Sequence, residues 1–131
     1  MNFDFNIGNT KRPSVRITQR CFSFNKNAIE LLGYPKYIAI GLDKENKKIA
    51  FKPLAEKTLF EPCYKFAIFE SITYVSISAS EIRKLAIELM SEKPQKIGVS
   101  FALELDEETK FGVIKLIKGV KPQGKPFDVN Y

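Results

Sequence analysis

The sequence contains no histidine and no tryptophan among its 131 residues, and only two cysteines. Without histidine, the Ser-His and Cys-His nucleophile pairs, most zinc sites and the usual proton shuttle near neutral pH are excluded. Cys21 and Cys63 lie far apart, and a chain of this length does not require a disulfide. We expect two reduced, partly buried thiols that pack as small apolar side chains, and the sequence leaves a disulfide open.

Long apolar runs and glycine-based catalytic motifs are lacking as well. No stretch reaches the roughly 20 apolar residues of a membrane-spanning helix, and the N-terminus has neither the basic start nor the apolar run of a secretory signal. No phosphate-binding glycine loop and no Cys-x-x-Cys pair occurs. We therefore predict a cytoplasmic protein that is not an enzyme and has no cofactor, no metal and no membrane partner.

Positive charge is concentrated in the first half of the sequence. The net charge is +6, and residues 1–60 hold eleven Lys/Arg against five Asp/Glu, whereas residues 61–131 hold ten of each. This asymmetry favours an anionic partner on the first half, with nucleic acid first among the candidates. The other interpretation is an ordinary solvated, lysine-rich surface.

The first half predicts the order hairpin, short helix, hairpin. Apolar and polar residues alternate on either side of Gln19-Arg20, which indicates two short strands with a tight connection there. Asn25 is a suitable N-cap for a helix that Gly33 would end. A wholly polar turn then joins two strand-like runs. The predicted segments are strands at 15–18 and 21–24, a helix at 26–32, and strands at 37–42 and 49–54.

The second half predicts the same order again. Ser78 or Ser80 would cap a helix over 81–91, and the apolar positions of this helix recur at helical spacing. These positions are Ile82, Leu85, Ala86, Leu89 and Met90. The predicted strands are 64–69, 74–77, 97–105 and 111–117. The spacing Phe24-x4-Ile29-x2-Leu32 matches Ile77-x4-Ile82-x2-Leu85, which together with the shared order favours an internal duplication.

Together these patterns predict one β-rich α+β domain over 15–118, built from two similar halves at 15–54 and 64–118. Residues 1–14 are predicted to form an N-terminal arm that is either an edge strand or disordered. Residues 119–131, rich in proline and glycine, are predicted to be a C-terminal tail.

The segment Phe24-Asn25-Lys26-Asn27-Ala28-Ile29-Glu30-Leu31-Leu32-Gly33, followed by a hairpin that ends Ile49-Ala50-Phe51-Lys52-Pro53, resembles the swapped-hairpin domain of AbrB-type regulators, which are related to the antitoxin MazE and to MraZ. The resemblance covers residues 15–54 directly and 64–118 by architecture. It implies a barrel in which two hairpin-helix-hairpin units exchange hairpins. Here the two units would lie in one chain, as a monomeric pseudo-dimer, or in a homodimer.

The resemblance also implies DNA binding through basic residues of the first hairpin and the helix start. Arg12, Arg16, Arg20 and Lys26 occupy these places, with Lys11 beside them. Arg16, Thr18 and Arg20 stand at every second position and would project together from one strand face if the strand is regular. Arginine suits phosphates and guanine edges through its paired donors. The leading hypothesis is therefore a non-enzymatic regulator that binds double-stranded DNA, with an ordinary charged strand face as the alternative for these residues.

Two other functions stay open. The family's Gly-Arg turn falls against Arg20-Cys21 and its Ile-Pro-Lys proline is replaced by Asn25, which favours a protein-interaction module without DNA binding. Such a module would be antitoxin-like or a phage-encoded inhibitor of a host protein. A histidine-free enzyme would need carboxylates such as Glu104, Asp106, Glu107 and Glu108, but charges in a hairpin turn are usually only hydrated.

Overall fold

The computed structural model of the protein describes residues 12–67, 72–91, 93–94 and 98–118. Within these ranges the chain forms nine strands, two α-helices and a closing 3-10 turn. In order these are β1 (Ser14–Ile17), β2 (Phe22–Phe24), α1 (Lys26–Leu31), β3 (Tyr37–Asp43), β4 (Lys48–Leu54), β5 (Tyr64–Lys65), β6 (Val75–Ile77), α2 (Ser80–Leu89), β7 (Val99–Ala102), β8 (Glu104–Leu105), β9 (Gly112–Lys115) and the turn Leu116–Lys118. No helix in these ranges has the length and apolar character needed to cross a membrane.

The strands form two antiparallel sheets, and this confirms the predicted β-rich α+β class. One sheet has four strands in the order β6-β2-β1-β7, and the other has five in the order β5-β3-β4-β9-β8. The predicted barrel is wrong as a closed structure, because the ladders of the described residues make two sheets rather than one continuous ring. β7 and β8 are two pieces of one predicted strand, which leaves the first sheet at Leu103 and then joins the second.

The core lies between the sheets and contains rings and branched side chains from both. Phe24 is fully buried, and its ring meets Phe51 edge-on at a centroid distance of 5.0 Å and Phe66 at 4.8 Å. Phe22 meets Phe51 in the same way at 6.0 Å. Such edge-to-face pairs add to the burial of apolar area. The rings therefore fix the first hairpin against the second sheet.

The turn of the first hairpin contains no glycine and is closed by the side chain of Thr18. Thr18 Oγ1 accepts hydrogen bonds from the backbone N–H groups of Arg20 at 3.0 Å and Cys21 at 3.1 Å. The Thr18 N–H in turn donates to the Cys21 carbonyl at 3.0 Å. A hydroxyl that closes a local turn in this way competes well with regular strand pairing. The predicted connection at Gln19-Arg20 is confirmed.

Helix α1 begins at the predicted residue and ends at Leu31, one residue earlier than predicted. Asn25 is its N-cap, and the Asn25 side chain accepts the Ala28 N–H at 2.8 Å. Gly33 follows the helix with φ +84°, a left-handed conformation that glycine adopts without strain. Because so short a helix is unstable in water, its stability comes from Ala28 and Ile29, which are buried against the core.

Helix α2 differs from its prediction at both its start and its apolar face. Its N-cap is Ala79, a left-handed residue at φ 38° without a side-chain cap bond, so neither Ser78 nor Ser80 caps it. Leu85, predicted to be buried, is 38% exposed, whereas Arg83 is only 5% exposed. Arg83 Nε donates to the Ser78 carbonyl at 3.0 Å, and one terminal guanidinium nitrogen donates to the Gln19 carbonyl at 2.9 Å. The buried side of the helix therefore includes Arg83, whereas Leu85 lies partly in solvent.

Several strands are shorter than predicted. β5 stops at Lys65, although Phe66 and Ala67 still donate to the carbonyls of Lys36 and Pro35 at 2.8 Å. The last strand stops at Lys115 and becomes the 3-10 turn. Residues 68 and 69 of the predicted strand 64–69 and residue 97 of the strand 97–105 lie outside the described residues. So do the arm up to residue 11 and the tail 119–131.

Four strand pairs join the first half of the chain to the second: β1 with β7, β2 with β6, β3 with β5, and β4 with β9. In the β2–β6 pair, Ser23 faces Ser76, and Phe22 and Phe24 face Ile77 and Val75. In the β4–β9 pair, Ala50 faces Val113. Each half therefore completes its sheets with strands of the other half.

The two long hairpins also turn alike. In the β3–β4 turn, Asp43 Oδ1 accepts the Asn46 N–H at 3.1 Å, and Lys47 has φ 54°. In the turn before β9, Asp106 Oδ2 accepts the Thr109 N–H at 2.9 Å, and Lys110 has φ 65°. An aspartate that closes its own turn is a common local motif. The Asp106 carboxylate, one of the candidate catalytic groups, therefore holds its turn.

Candidate anion-binding face of the four-stranded sheet

The outer side of the four-stranded sheet carries a row of directly opposed polar residues. Arg16 on β1 faces Ser100 on β7 and Ser23 on β2, and Ser23 faces Ser76 on β6. Ser14 lies on the same side, two residues before Arg16. We call these five residues the hydroxyl face. The four strands contain no Asp or Glu, so Arg16 supplies the charge of this face.

A cleft of about 240 Å³ opens on the hydroxyl face. It is lined by Ser14, Arg16, Ser23, Phe24, Asn25, Tyr74 and Ser100. Arg16 is half-buried, and its Nε is fully buried without a hydrogen-bond acceptor among the described residues. A buried cationic donor without a partner is costly. Arg16 therefore brings a positive charge to the cleft, and one of its donors is unsatisfied among the described residues.

Hydroxyl groups continue from the cleft toward Cys21. The hydroxyls of Ser23 and Tyr74 lie 2.9 Å apart, and Cys21 Sγ lies 3.4 Å from Ser23 Oγ. Burial alone raises the pKa of the Cys21 thiol, but neighbouring hydroxyls, that of Ser23 foremost, and the charge of Arg83 bring this pKa below its ordinary value. Both Cys21 and Cys63 are free thiols and half-buried, as predicted.

Asn25 organises one end of the hydroxyl face. Its Oδ1 accepts the N–H groups of Ala28 and Ser14, and its Nδ2 donates to the Arg12 carbonyl at 2.9 Å and to Ser14 Oγ at 3.0 Å. An amide has two donor hydrogens and two acceptor lone pairs, so every hydrogen bond of this side chain is used. The cap of α1 thus also fixes the chain segment that leads into β1.

The structure brings three of the four predicted DNA-binding residues together. Arg12 is tied to Asn25 through its carbonyl, Lys26 is the next residue after Asn25, and Arg16 lies in the adjacent cleft. The side chains of Arg12 and Lys26 are exposed. Neither ion pair of the described residues, Lys52 with Glu61 and Lys110 with Glu107, involves any of the four.

Arg20 does not share a strand face with Arg16, so that prediction is wrong. Arg20 is an exposed residue of the β1–β2 turn, and the Thr18 side chain between them is used to close that turn. A regular strand would have continued the alternation from Arg16 to Arg20. Because the strand ends at Ile17, Arg20 lies at the far end of the hairpin, away from the other three cations.

Ser14, Ser23, Ser100 and Tyr74 contribute most of the cleft and were not predicted as site residues. Ser23, Ser76 and Ser100 each stand between two buried apolar residues of a strand. This alternation was the available signal, since it places all three hydroxyls on the outer side of one sheet. Their registers, which align them with Arg16, depend on which strands pair, and this information is not local to any of the segments.

A second exposed feature lies in residues 55–62, the connector between the halves. The side chains of Leu59 and Phe60 are 101% and 96% exposed, so neither contacts the core. A neighbouring ion pair joins Lys52 Nζ to Glu61 Oε2 at 2.7 Å and holds the end of the connector to β4. Two adjacent, fully exposed large apolar side chains are unusual on a solvated surface.

Comparisons of this chain with protein-family models, with curated protein sequences and with solved structures found no match.

Proposed function

We propose that the protein is a non-enzymatic, DNA-binding transcriptional regulator of the AbrB-like type and that its hydroxyl face contacts double-stranded DNA. The observation that carries this proposal is the convergence of Arg12, Arg16 and Lys26 around Asn25, beside a sheet without carboxylates. Arginine and lysine bind backbone phosphates, and neutral hydroxyls fix the register on the duplex. The charge of the first half agrees with this placement, because all three cations belong to it.

The strand registers support the finer part of the proposal, a duplicated swapped-hairpin unit. The first strand of each half pairs with a strand of the other half's second hairpin, β1 with β7 and β5 with β3. The pairs β2–β6 and β4–β9 join corresponding strands of the two halves, and they include the residue pairs Ser23–Ser76 and Ala50–Val113. Two units related by an approximate two-fold axis would pair in this way, with the exchange completed inside one chain.

The same correspondence gives the two halves different surfaces. When the sequences of the two halves are aligned so that Ser23 of β2 matches Ser76 of β6, Ser78 corresponds to Asn25 and Ala79 corresponds to Lys26. The second half therefore lacks a cation at the helix start. A dimeric DNA-binding protein contacts two half-sites through two equal surfaces, whereas this chain has one such surface. We propose a single, one-sided contact with the duplex.

The test is a binding titration on duplex DNA at two salt concentrations with matched triple variants. The first variant, Arg12→Gln/Arg16→Gln/Lys26→Gln, removes the proposed contact. The second, Lys44→Gln/Lys47→Gln/Lys48→Gln, removes the same charge from the β3–β4 hairpin. If three phosphates are contacted, the slope of log K against log salt falls by up to about 2.7 in the first variant. In the second it stays near that of the parent protein.

No binding at low salt would overturn the proposal, and so would an equal loss of affinity in both triple variants. Arg20→Gln adds a finer measurement. Because Arg20 lies at the other end of the hairpin, its loss lowers the slope by about 0.9 only if the contact extends along the whole hairpin.

The second candidate is a protein-interaction module without DNA binding, antitoxin-like or an inhibitor of a larger protein. The full exposure of Leu59 and Phe60 favours it, since adjacent apolar side chains at a surface are typical of interaction sites. The test is purification with and without Leu59→Ser/Phe60→Ser. One stoichiometric protein partner that is lost in the variant, with no nucleic-acid absorbance at 260 nm, would support this function over DNA binding.

A further inference from the structure

The cleft beside Arg16 has the size and the chemistry of a site for one anionic group. Its volume of about 240 Å³ leaves room for a phosphate. The lining combines one arginine with the hydroxyls of serine and tyrosine and has no carboxylate. A cation surrounded by neutral donors favours a ligand with several acceptor oxygens.

The guanidinium of Arg16 is the strongest indication of a ligand. Arg16 lines the cleft, is half-buried and is permanently charged, and its Nε has no acceptor among the described residues. An oxyanion bound to the guanidinium in the cleft would compensate this charge.

Two serines supply further donors around this position. Ser14 Oγ accepts a hydrogen bond from Asn25 Nδ2 at 3.0 Å, so its own hydroxyl hydrogen remains free to donate. Ser100 faces Arg16 directly across the β1–β7 pair. The hydroxyls of Ser23 and Tyr74 share one hydrogen bond at 2.9 Å and therefore retain a second hydrogen between them.

We propose that this cleft binds a phosphate group, with Arg16 as the cation and Ser14 and Ser100 as neutral donors. Asn25 is a positioning residue, because its own hydrogen bonds are all used in holding Ser14 and the start of α1. The phosphate is either one of the DNA backbone, which rests on the proposed function, or that of a small phosphate ester, which does not.

The experiment is a titration of the full ¹⁵N-labelled chain with inorganic phosphate, observed at the arginine Nε–H resonances in NMR spectra. Arg16→Lys assigns the Arg16 signal, and Arg20→Gln is the matched control outside the cleft. We expect a saturable shift of the Arg16 signal and only a weak, linear drift of the Arg20 signal. Arg16→Gln lowers phosphate affinity at least about tenfold, Ser100→Ala lowers it several-fold, and Arg20→Gln leaves it unchanged.

Equal responses of Arg16 and Arg20, or an equal loss of affinity in Arg16→Gln and Arg20→Gln, would overturn the phosphate site. Ser100→Ala removes a single surface hydroxyl, so it keeps the test valid if Arg16→Gln does not fold. Thermal unfolding of each variant identifies the folded ones before the titration.

A parallel titration with duplex DNA separates this inference from the proposed function. If DNA displaces bound phosphate, the site holds a backbone phosphate. If phosphate binds but DNA does not bind at low salt, the DNA proposal fails, and the phosphate site remains with a small phosphate ester as its ligand. Ribose 5-phosphate is the probe for such an ester. If DNA binds equally well to Arg16→Gln and Arg20→Gln and phosphate does not saturate, the phosphate site fails and the DNA proposal stands.

Discussion

The two helices begin in different ways, although each follows a short strand of the same sheet. Helix α1 starts at Asn25, whose side chain bonds the first turn and also holds Arg12 and Ser14. Helix α2 starts at Ala79 in a left-handed conformation, and the preceding carbonyl of Ser78 is held by the buried Arg83. A neutral amide thus stabilises one start and a cation the other.

The difference decides which charges are available to a partner. In the first half the cap is neutral, so Arg12 and Lys26 stay exposed beside it. In the second half Arg83 is 5% exposed and bonded to two carbonyls, so its charge is used inside the protein. Two halves with similar strand orders therefore have different surfaces, because their helices are held by different chemistry.

The largest effect is expected in the core, to which both halves contribute fully buried side chains. Phe51 on β4 and Ile114 on β9 are both fully buried on either side of the Ala50–Val113 pair. Phe51→Ala should lower the free energy of unfolding by about 3–5 kcal/mol and Ile114→Ala by about 2–5 kcal/mol. Phe51 loses more, since it also loses two edge-to-face ring contacts.

Urea unfolding of both variants measures this comparison. Ile117→Ala is the control, because that side chain is 54% exposed and its loss should change stability by less than about 0.5 kcal/mol. A larger loss for Ile114→Ala than for Phe51→Ala would show that the core is centred on the second half.

The next effect concerns the buried cation of α2. Arg83→Met should lower the free energy of unfolding by about 2–3 kcal/mol, because the carbonyls of Ser78 and Gln19 lose a charged donor. Lys84→Met, at the exposed neighbouring position, is the control and should stay within about 0.5 kcal/mol. The pKa of Cys21 should also rise, since the Arg83 charge is among the groups that lower it. The pH dependence of thiol alkylation measures that shift, and an unchanged profile would contradict the assignment.

The helix starts provide a smaller contrast. Asn25→Ala removes the cap of α1 and should cost about 1–2 kcal/mol. Ser78→Ala removes a hydroxyl with no capping bond and should cost less than about 0.5 kcal/mol. Thermal unfolding at one concentration compares the pair. Equal losses would mean that Ser78 stabilises α2 in a way that its hydrogen bonds do not indicate.

The smallest effect is expected where the halves agree most, at the two aspartate turns. The pKa of Asp43 is lowered by hydrogen bonds from Asn46, and that of Asp106 by hydrogen bonds from Thr109. A lowered carboxyl pKa in the folded state means that the unfolded state binds the proton more tightly. The contribution is therefore present above about pH 4 and is lost as pH falls through the lower folded values.

Urea unfolding at pH 7 and near pH 3 measures this loss in the parent protein and in Asp43→Ala and Asp106→Ala. Each single variant should show a slightly smaller drop in stability than the parent, and the two should match. A variant that keeps the full drop in stability would show that its aspartate turn does not contribute to the pH dependence.

The sequence predicted those features of the fold whose causes are local. Asn25 and Gly33 fix the ends of α1, and the wholly polar runs fix the long hairpin turns. It did not predict that Arg83 is buried, because helical periodicity treats arginine as a solvent-facing residue. The periodicity does not indicate the two backbone carbonyls that accept hydrogen bonds from Arg83. It also placed Arg20 with Arg16, since nothing in the alternation reveals that Thr18 ends the strand by closing a turn.

The candidate site was predictable only in part for the same reason. Arg12, Arg16 and Lys26 could be found from charge and from their position around the first helix. The serines and Tyr74 could not, because Ser100 and Tyr74 come beside Arg16 and Ser23 only through pairings between distant segments.

The four strand pairs between the halves bear on whether the chain closes as a monomer or pairs with a second molecule. Every contact that the first half makes with the second could equally be made with the second half of another molecule, as in domain swapping. What favours closure within one chain is the connector 55–62, which keeps the two halves at a high effective concentration. Shortening this segment until it no longer spans its ends should convert the protein into an intertwined dimer with the same strand registers.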